Sequence, residues 1–153
     1  MDDKKVSHER TLLGELGAAI GKGLIAGLAG TIAISISQAI ERKVMNREPN
    51  YNPAKAAEKL FDIGPEPGNE EMLSNEVHLT YGTLWGAARG ILSICGLNGF
   101  TATAVHFTAV WSTALVAETE LELAPPINKR KDDEIIMSAV HHLVYAVVAG
   151  LVY

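Results

Sequence analysis

Along this chain polar and apolar residues are sorted into blocks rather than interleaved. Four stretches, residues 17–40, 77–96, 100–117 and 135–153, carry only two charged side chains between them, Lys22 and Arg89. A soluble amphipathic helix would show a polar stripe every three to four residues. The last stretch, IIMSAVHHLVYAVVAGLVY, is instead apolar around its whole circumference. At ~1.5 Å per residue, ~20 largely uncharged residues cross a hydrocarbon core of ~30 Å, and each stretch is near that length. The pattern predicts an all-α protein, a four-transmembrane-helix bundle forming one membrane domain over residues 1–153. The competing reading is a soluble four-helix bundle with unusually apolar helices.

The connections suit the first reading. Residues 90–117 contain no charge and are interrupted only by Gly96-Leu97-Asn98-Gly99, which reads as a tight turn between two helices. Glu41-Arg42-Lys43 marks an abrupt polar exit from the first span. In loop 41–76, Asn52-Pro53 resembles an N-cap followed by proline at the first helical position. Ala57, Leu60 and Phe61 then form a short apolar stripe, predicting an amphipathic helix near 53–62 that lies in the membrane interface or over the bundle. Gly64-Pro65-Glu66-Pro67-Gly68 ends it. Loop 118–134 is broken by Pro125-Pro126, with Asp132 or Asp133 as caps for the final helix.

Composition sharpens this picture mainly by exclusion. The mean hydropathy is only +0.14, because Gly, Ala, Thr, Ser and His fill the spans and nearly all charges crowd into the loops. A net charge of −5 leaves no basic footprint for nucleic acid. The single cysteine, Cys95, supports neither a disulfide framework nor a paired-cysteine metal site. The mixed-charge start, Met1-Asp2-Asp3-Lys4-Lys5, does not resemble a cleaved signal peptide, so the first stretch is read as a span. The long loops carry Arg42, Lys43, Arg47, Lys55, Lys59, Lys129, Arg130 and Lys131, against Lys4, Lys5 and Arg10 on the other side. That bias predicts loops 41–76 and 118–134 in the cytoplasm and both termini outside.

Helices in lipid associate through close packing of small residues. Gly23 and Gly27 in the first span, and Gly82, Gly86 and Gly90 in the second, are the candidate packing positions. They predict a tight bundle or a tight homo-oligomer. Ionisable groups within a span are costly and mark functional candidates. Arg89 and His106 are each seven residues from the Gly96–Gly99 turn, so they share a depth, and Trp85 and Trp111 share another. A polar layer of Arg89, His106 and either His141 or His142 follows, with His78 toward the other face. The two adjacent histidines point about 100° apart, so one of them at most faces a given site. The plain roles are polar glue for the histidines, packing for the tryptophans, snorkelling for Lys22, and snorkelling or a lipid phosphate for Arg89. The chemical alternative is a cofactor: haem b between His106 and His142 with Arg89 on a propionate, or a quinone at Arg89. No span holds Asp or Glu, which argues against a proton relay, and no hydrolase, metalloprotease, phosphate-loop or dinucleotide motif occurs.

Several short motifs resemble a known group. GLIAGLAGT at residues 23–31, Tyr51-Asn52-Pro53-Ala54, and His78, Tyr81, Gly82, Trp85 and Gly86 are similar to the YagU-like family of small bacterial inner-membrane proteins. His106 with Trp111, Ala124-Pro125-Pro126 and His141-His142-Leu143-Val144-Tyr145 extend the similarity over most of the chain. The resemblance implies four helices, a bacterial source and the inner membrane. The activity of that family is unassigned, so it implies no catalytic residue. The function expected is a structural, accessory or complex-assembly component in the lipid bilayer, as a homo-oligomer or within a larger complex, without enzymatic activity of its own. A redox subunit using His106, His142 and Arg89, and a small oligomeric transporter or channel, are the alternatives.

Overall fold

The computed structural model describes residues 3–153, with side chains from Thr11 onward. The N-terminal signal reading and the basic side chains Lys4, Lys5 and Arg10 therefore concern positions outside the described side chains. Five α-helices and one 3-10 turn, and no strand, make up the described residues. They are α1 (Asp3–Met45), α2 (Asn52–Phe61), α3 (Glu70–Ile94), α4 (Gly99–Glu120) and α5 (Asp132–Val152), with the turn at Ile127–Lys129.

Three helices are long and apolar enough to cross a membrane: α1 over Thr11–Met45, α4 and α5. The fourth expected span, α3, falls short of that mark. Its 25 residues include Glu70, Glu71, Glu76, His78 and Arg89, and glycines stand where larger aliphatics would raise its hydropathy. α1 is also far longer than the predicted 17–40. At ~1.5 Å per residue its 43 residues reach about 65 Å. Glu41-Arg42-Lys43 ends the apolar block but not the helix, since none of those residues breaks helical hydrogen bonding. The helix stops at Asn46, whose φ of 56° suits the tolerance of asparagine for the left-handed region.

α1 lies between α3 and α5, packing most extensively on α3, while α4 packs mainly on α5 and more lightly on α3. The α3–α4 connection is the tight turn expected. Gly96 and Gly99 take φ of 82° and 55° there, conformations that a Cβ would strain. A small core of Ile34, Val110, Tyr145 and Ala146, flanked by Trp85 and Phe107, sits where α1, α3, α4 and α5 meet.

The loops differ in detail from expectation. Asn52 is the first residue of α2 rather than its cap; Tyr51 precedes it without a side-chain cap, and Asn50 Oδ1 accepts the Asn52 N–H at 2.8 Å. α2 packs on α3 through Ala54 and Ala57, which leaves Leu60 and Phe61 exposed, Phe61 at 71%. Lys131, not an aspartate, precedes α5, and Asp132 and Asp133 fall within its first turn. Loop 118–134 is pinned by Arg130: Nη1 donates to Glu118 at 2.7 Å, Nη2 to Thr119 Oγ1 at 3.0 Å and Nε to the Pro125 carbonyl at 2.8 Å. One buried guanidinium thus ties the end of α4 to the proline corner.

Candidate functional site

The glycines come first because they set how near the helices lie. A methyl carbon built on Gly27 would stand 2.7 Å from the Gly86 Cα and 2.7 Å from the Thr83 carbonyl oxygen. One on Gly23 or Gly86 would overlap the backbone of the other, one on Gly90 would overlap the Ala19 carbonyl, and one on Gly82 would overlap Thr31 Oγ1. All five candidate glycines therefore lie on the α1–α3 contact, where backbone touches backbone at all but Gly82, which meets the Thr31 side chain. Gly30 has the same relation to α5, where a methyl carbon would lie 2.8 Å from Tyr145. This proximity leaves no room for larger side chains where Gly23 and Gly27 meet Gly86 and Gly90. The polar groups are displaced to the seams with α4 and α5.

Those groups divide into separate clusters rather than one layer. His106 is fully buried, and its Nε2–H donates to the Trp85 carbonyl at 3.1 Å. A carbonyl only accepts, so the neutral ring keeps its lone pair on Nδ1, which is buried without a partner. Its ring lies 5.5 Å from the Tyr145 ring, and the Tyr145 hydroxyl donates to the Gly82 carbonyl at 2.7 Å. Arg89 is within electrostatic reach of His106, as their equal distance from the turn suggests. The Arg89 residue is 3% exposed, its Nε and Nη1 have no hydrogen-bond partner, and its guanidinium carbon lies 4.3 Å from the centre of the Tyr153 ring.

His141 belongs to a second cluster, toward the loop end. Ser37 Oγ donates to His141 Nδ1 at 2.8 Å, and His141 Nε2 donates to Glu41 Oε2 at 2.8 Å. The other Glu41 oxygen accepts from Arg47 at 2.8 Å, and Arg47 reaches Asp133 at 3.1 Å. One chain of hydrogen bonds thus joins the C-terminal end of α1 to the first turns of α5. His142 turns away from it. Its Nδ1–H donates to the Ser138 carbonyl at 2.8 Å, and it lies within electrostatic reach of His78 and Glu118.

No hydrogen bond, ring contact or charge interaction joins His106 to His142 among the described residues. The structure brings Arg89 and His106 together, and His78 and His142, but not the pair that a bis-histidine haem would need. No group of three or more His, Cys, Asp or Glu is placed to hold a metal ion among the described residues. Trp85 packs edge-on against Tyr81 and Trp111 stacks on Phe107. Lys22 is exposed.

Four contributors were not singled out from the sequence: Ser37, Glu41, Tyr145 and Tyr153. A signal for them exists. Ser37 and Glu41 are one turn apart on α1, and His141, Tyr145, Ala149 and Tyr153 repeat every four residues on α5, so each set shares a helix face. No family model, curated protein or solved structure matches this chain.

Proposed function

We propose that this chain is a multi-pass protein of a bacterial inner membrane, with α3 as a fourth span, serving as a structural or accessory component of a membrane assembly. One observation carries the reading: the molecule is inside-out relative to a soluble bundle. Its buried positions are largely Gly, Ala and hydrogen-bonded polar residues, such as Ala26, Ala102, Ala146, Ala149, Thr31 and His106. Its large aliphatics point outward, with Ile25 at 65%, Leu84 at 60% and Leu151 at 81% exposure. In water such a surface favours aggregation, whereas in hydrocarbon it is the solvated face. α3 owes its weak hydropathy to its inward residues, because Gly82, Gly86, Arg89 and Gly90 are all buried. A helix that buries one face of small residues against α1 needs less apolar surface to cross.

The similarity to YagU-like proteins supports the same placement through its glycine and histidine motifs. The histidines support an accessory role over haem b, since no contact among the described residues brings His106 and His142 to one site. Homo-oligomer formation or inclusion in a larger complex belongs to this proposal.

Alkaline carbonate extraction of cell membranes tests it. The protein is expected in the membrane pellet, released only by detergent, and release into the soluble fraction overturns the reading. Orientation has its own probe in Cys95, which is exposed beside the α3–α4 turn. A membrane-impermeant maleimide should label it in intact spheroplasts if that turn faces outward. Labelling only after lysis would reverse the topology. The size and co-purifying partners of the detergent-extracted protein then show which assembly it serves.

A further inference from the structure

Arg89 presents an electrostatic problem that the chain does not solve by itself. It is a guanidinium at 3% exposure within a segment read as membrane-spanning, with Nε and Nη1 unpartnered. Burying an ionised group costs several kcal/mol unless charge and hydrogen bonds compensate. Guanidinium stays protonated under all ordinary conditions, so losing its proton is no escape. The four apolar stretches contain no Asp or Glu, and among the described residues no carboxylate pairs with Arg89. Among the described residues the Tyr153 ring lies on it at 4.3 Å, covering one face while Nε and Nη1 stay enclosed without a partner. A residue acting only as interhelical glue would donate to neighbouring carbonyls, as His106 and Tyr145 do. Arg89 does not.

Its depth indicates where a counter-charge comes from. Arg89 is seven residues, roughly 10 Å of helix, from the turn at Gly96. Gly23 lies against Gly86 and Gly90, which puts Lys22 at about the same depth. Both cations of the apolar stretches thus stand at the turn end of the molecule, within reach of one leaflet's headgroups.

We propose that Arg89 is a binding site for a phosphate oxyanion, supplied by the headgroup of an anionic phospholipid in the leaflet at the α3–α4 turn. The guanidinium donates to the phosphate oxygens through Nη2, the nitrogen that the helices leave accessible, a charge-assisted contact that replaces the missing carboxylate. Tyr153 is half-buried at the end of α5, so the headgroup approaches past its ring. The lipid then bridges α3 and α5 at their turn-side ends. This inference rests on the membrane reading above.

The test uses the full chain, stripped of lipid in mild detergent, as wild type, Arg89→Met and Arg89→Lys. Thermal unfolding and native mass spectrometry are recorded with phosphatidylglycerol, with dioleoylglycerol (no phosphate) and with inorganic phosphate. Without lipid, Arg89→Met is expected to melt at or above the wild-type temperature, because it removes an uncompensated charge. Phosphatidylglycerol should then raise the wild-type melting temperature and remain bound in the gas phase, while dioleoylglycerol does neither. Arg89→Met should lose at least about tenfold in apparent affinity, or ~1.4 kcal/mol, and Arg89→Lys should retain part of the response. An equal response to inorganic phosphate supports the anion site but assigns it to free phosphate. An undiminished lipid response in Arg89→Met, or none in wild type, overturns the proposal. If Arg89→Met does not fold, the wild type and Arg89→Lys still decide, since absence of retained phosphatidylglycerol in both is fatal. Carbonate extraction separates the two failures: a protein that stays in the membrane but ignores phosphatidylglycerol refutes only this site.

Discussion

The α1–α3 and α5 contacts hold the same bundle together by opposite means. Between α1 and α3, Gly23 and Gly27 meet Gly86 and Gly90 backbone to backbone, and Gly82 receives the Thr31 side chain. α5 instead reaches its neighbours with side chains: His141 to Ser37 and Glu41, Tyr145 to the Gly82 carbonyl, Tyr153 to Arg89. The first contact gains from dispersion over many close atoms and has no slack. The second gains from a few directed hydrogen bonds on rotatable side chains, each modest because water or lipid-exposed alternatives also offer partners. The first should therefore fail abruptly when a carbon is added, and the second should weaken by increments.

The sharpest way to break the contrast is Gly86→Leu. Its Cβ would overlap the Gly23 carbonyl, and both atoms belong to helix backbones that have nowhere to move without parting. A loss of ~3 kcal/mol or more is expected, at the upper end for overpacking, read as a collapse of the thermal transition in detergent. A drop of only a few tenths would show that α1 and α3 do not meet at this register.

Tyr145→Phe probes the other side. It keeps the ring against His106 and Gly30 but removes the hydroxyl that donates to Gly82 at 2.7 Å. That carbonyl sits within α3 and keeps its own helical hydrogen bond, so no acceptor is orphaned. The expected cost is ~1 kcal/mol, in the range measured for hydrogen bonds between membrane helices. Glu41→Gln goes one step further out. Glutamine still accepts from His141 through its one oxygen, while its amide nitrogen faces Arg47, so the charge and the hydrogen bond opposite that exposed arginine are lost. Less than about 1 kcal/mol is expected, and the loss should shrink further as added salt screens the pair. A loss from Glu41→Gln larger than that from Tyr145→Phe would mean the loop-end network, not the mid-helix bond, anchors α5.

How far each contact could be read beforehand follows from its physics. The glycine positions were legible because a four-residue spacing of glycines is itself a local pattern, independent of the partner. The pairing of Arg89 with His106 was legible because a four-residue turn fixes the depth of both flanking helices. The His141–Glu41 bond was not, since it joins positions 100 residues apart and depends on how two separate helices are set in register. The haem pairing of His106 with His142 depends on the same long-range register, and no contact among the described residues joins the two rings. The extent of α1 was missed because charge marks a change of solvent, while only a turn residue such as Asn46 ends a helix. α3 was read as a span from its lack of charge, and its many buried small residues keep it below the hydropathy that α1, α4 and α5 reach.

The smallest effect sharpens the contrast most, because it uses the same residue type on the same helix. Gly14, Gly17 and Gly21 have no atom within 4 Å of where a Cβ would stand, whereas Gly23 and Gly27 are blocked by α3. If glycine matters on α1 only where another helix approaches, Gly17→Ala should be harmless. It should in fact stabilise slightly, by a few tenths of a kcal/mol up to ~1, because alanine is the better helix former. Thermal unfolding in detergent reads the difference, with Gly27→Ala as the paired variant that must lose stability. A clear destabilisation by Gly17→Ala would mean that the open face of α1 is covered in the assembled protein. Its dependence on protein concentration would then identify a second copy as the cover, since only a contact between copies weakens on dilution.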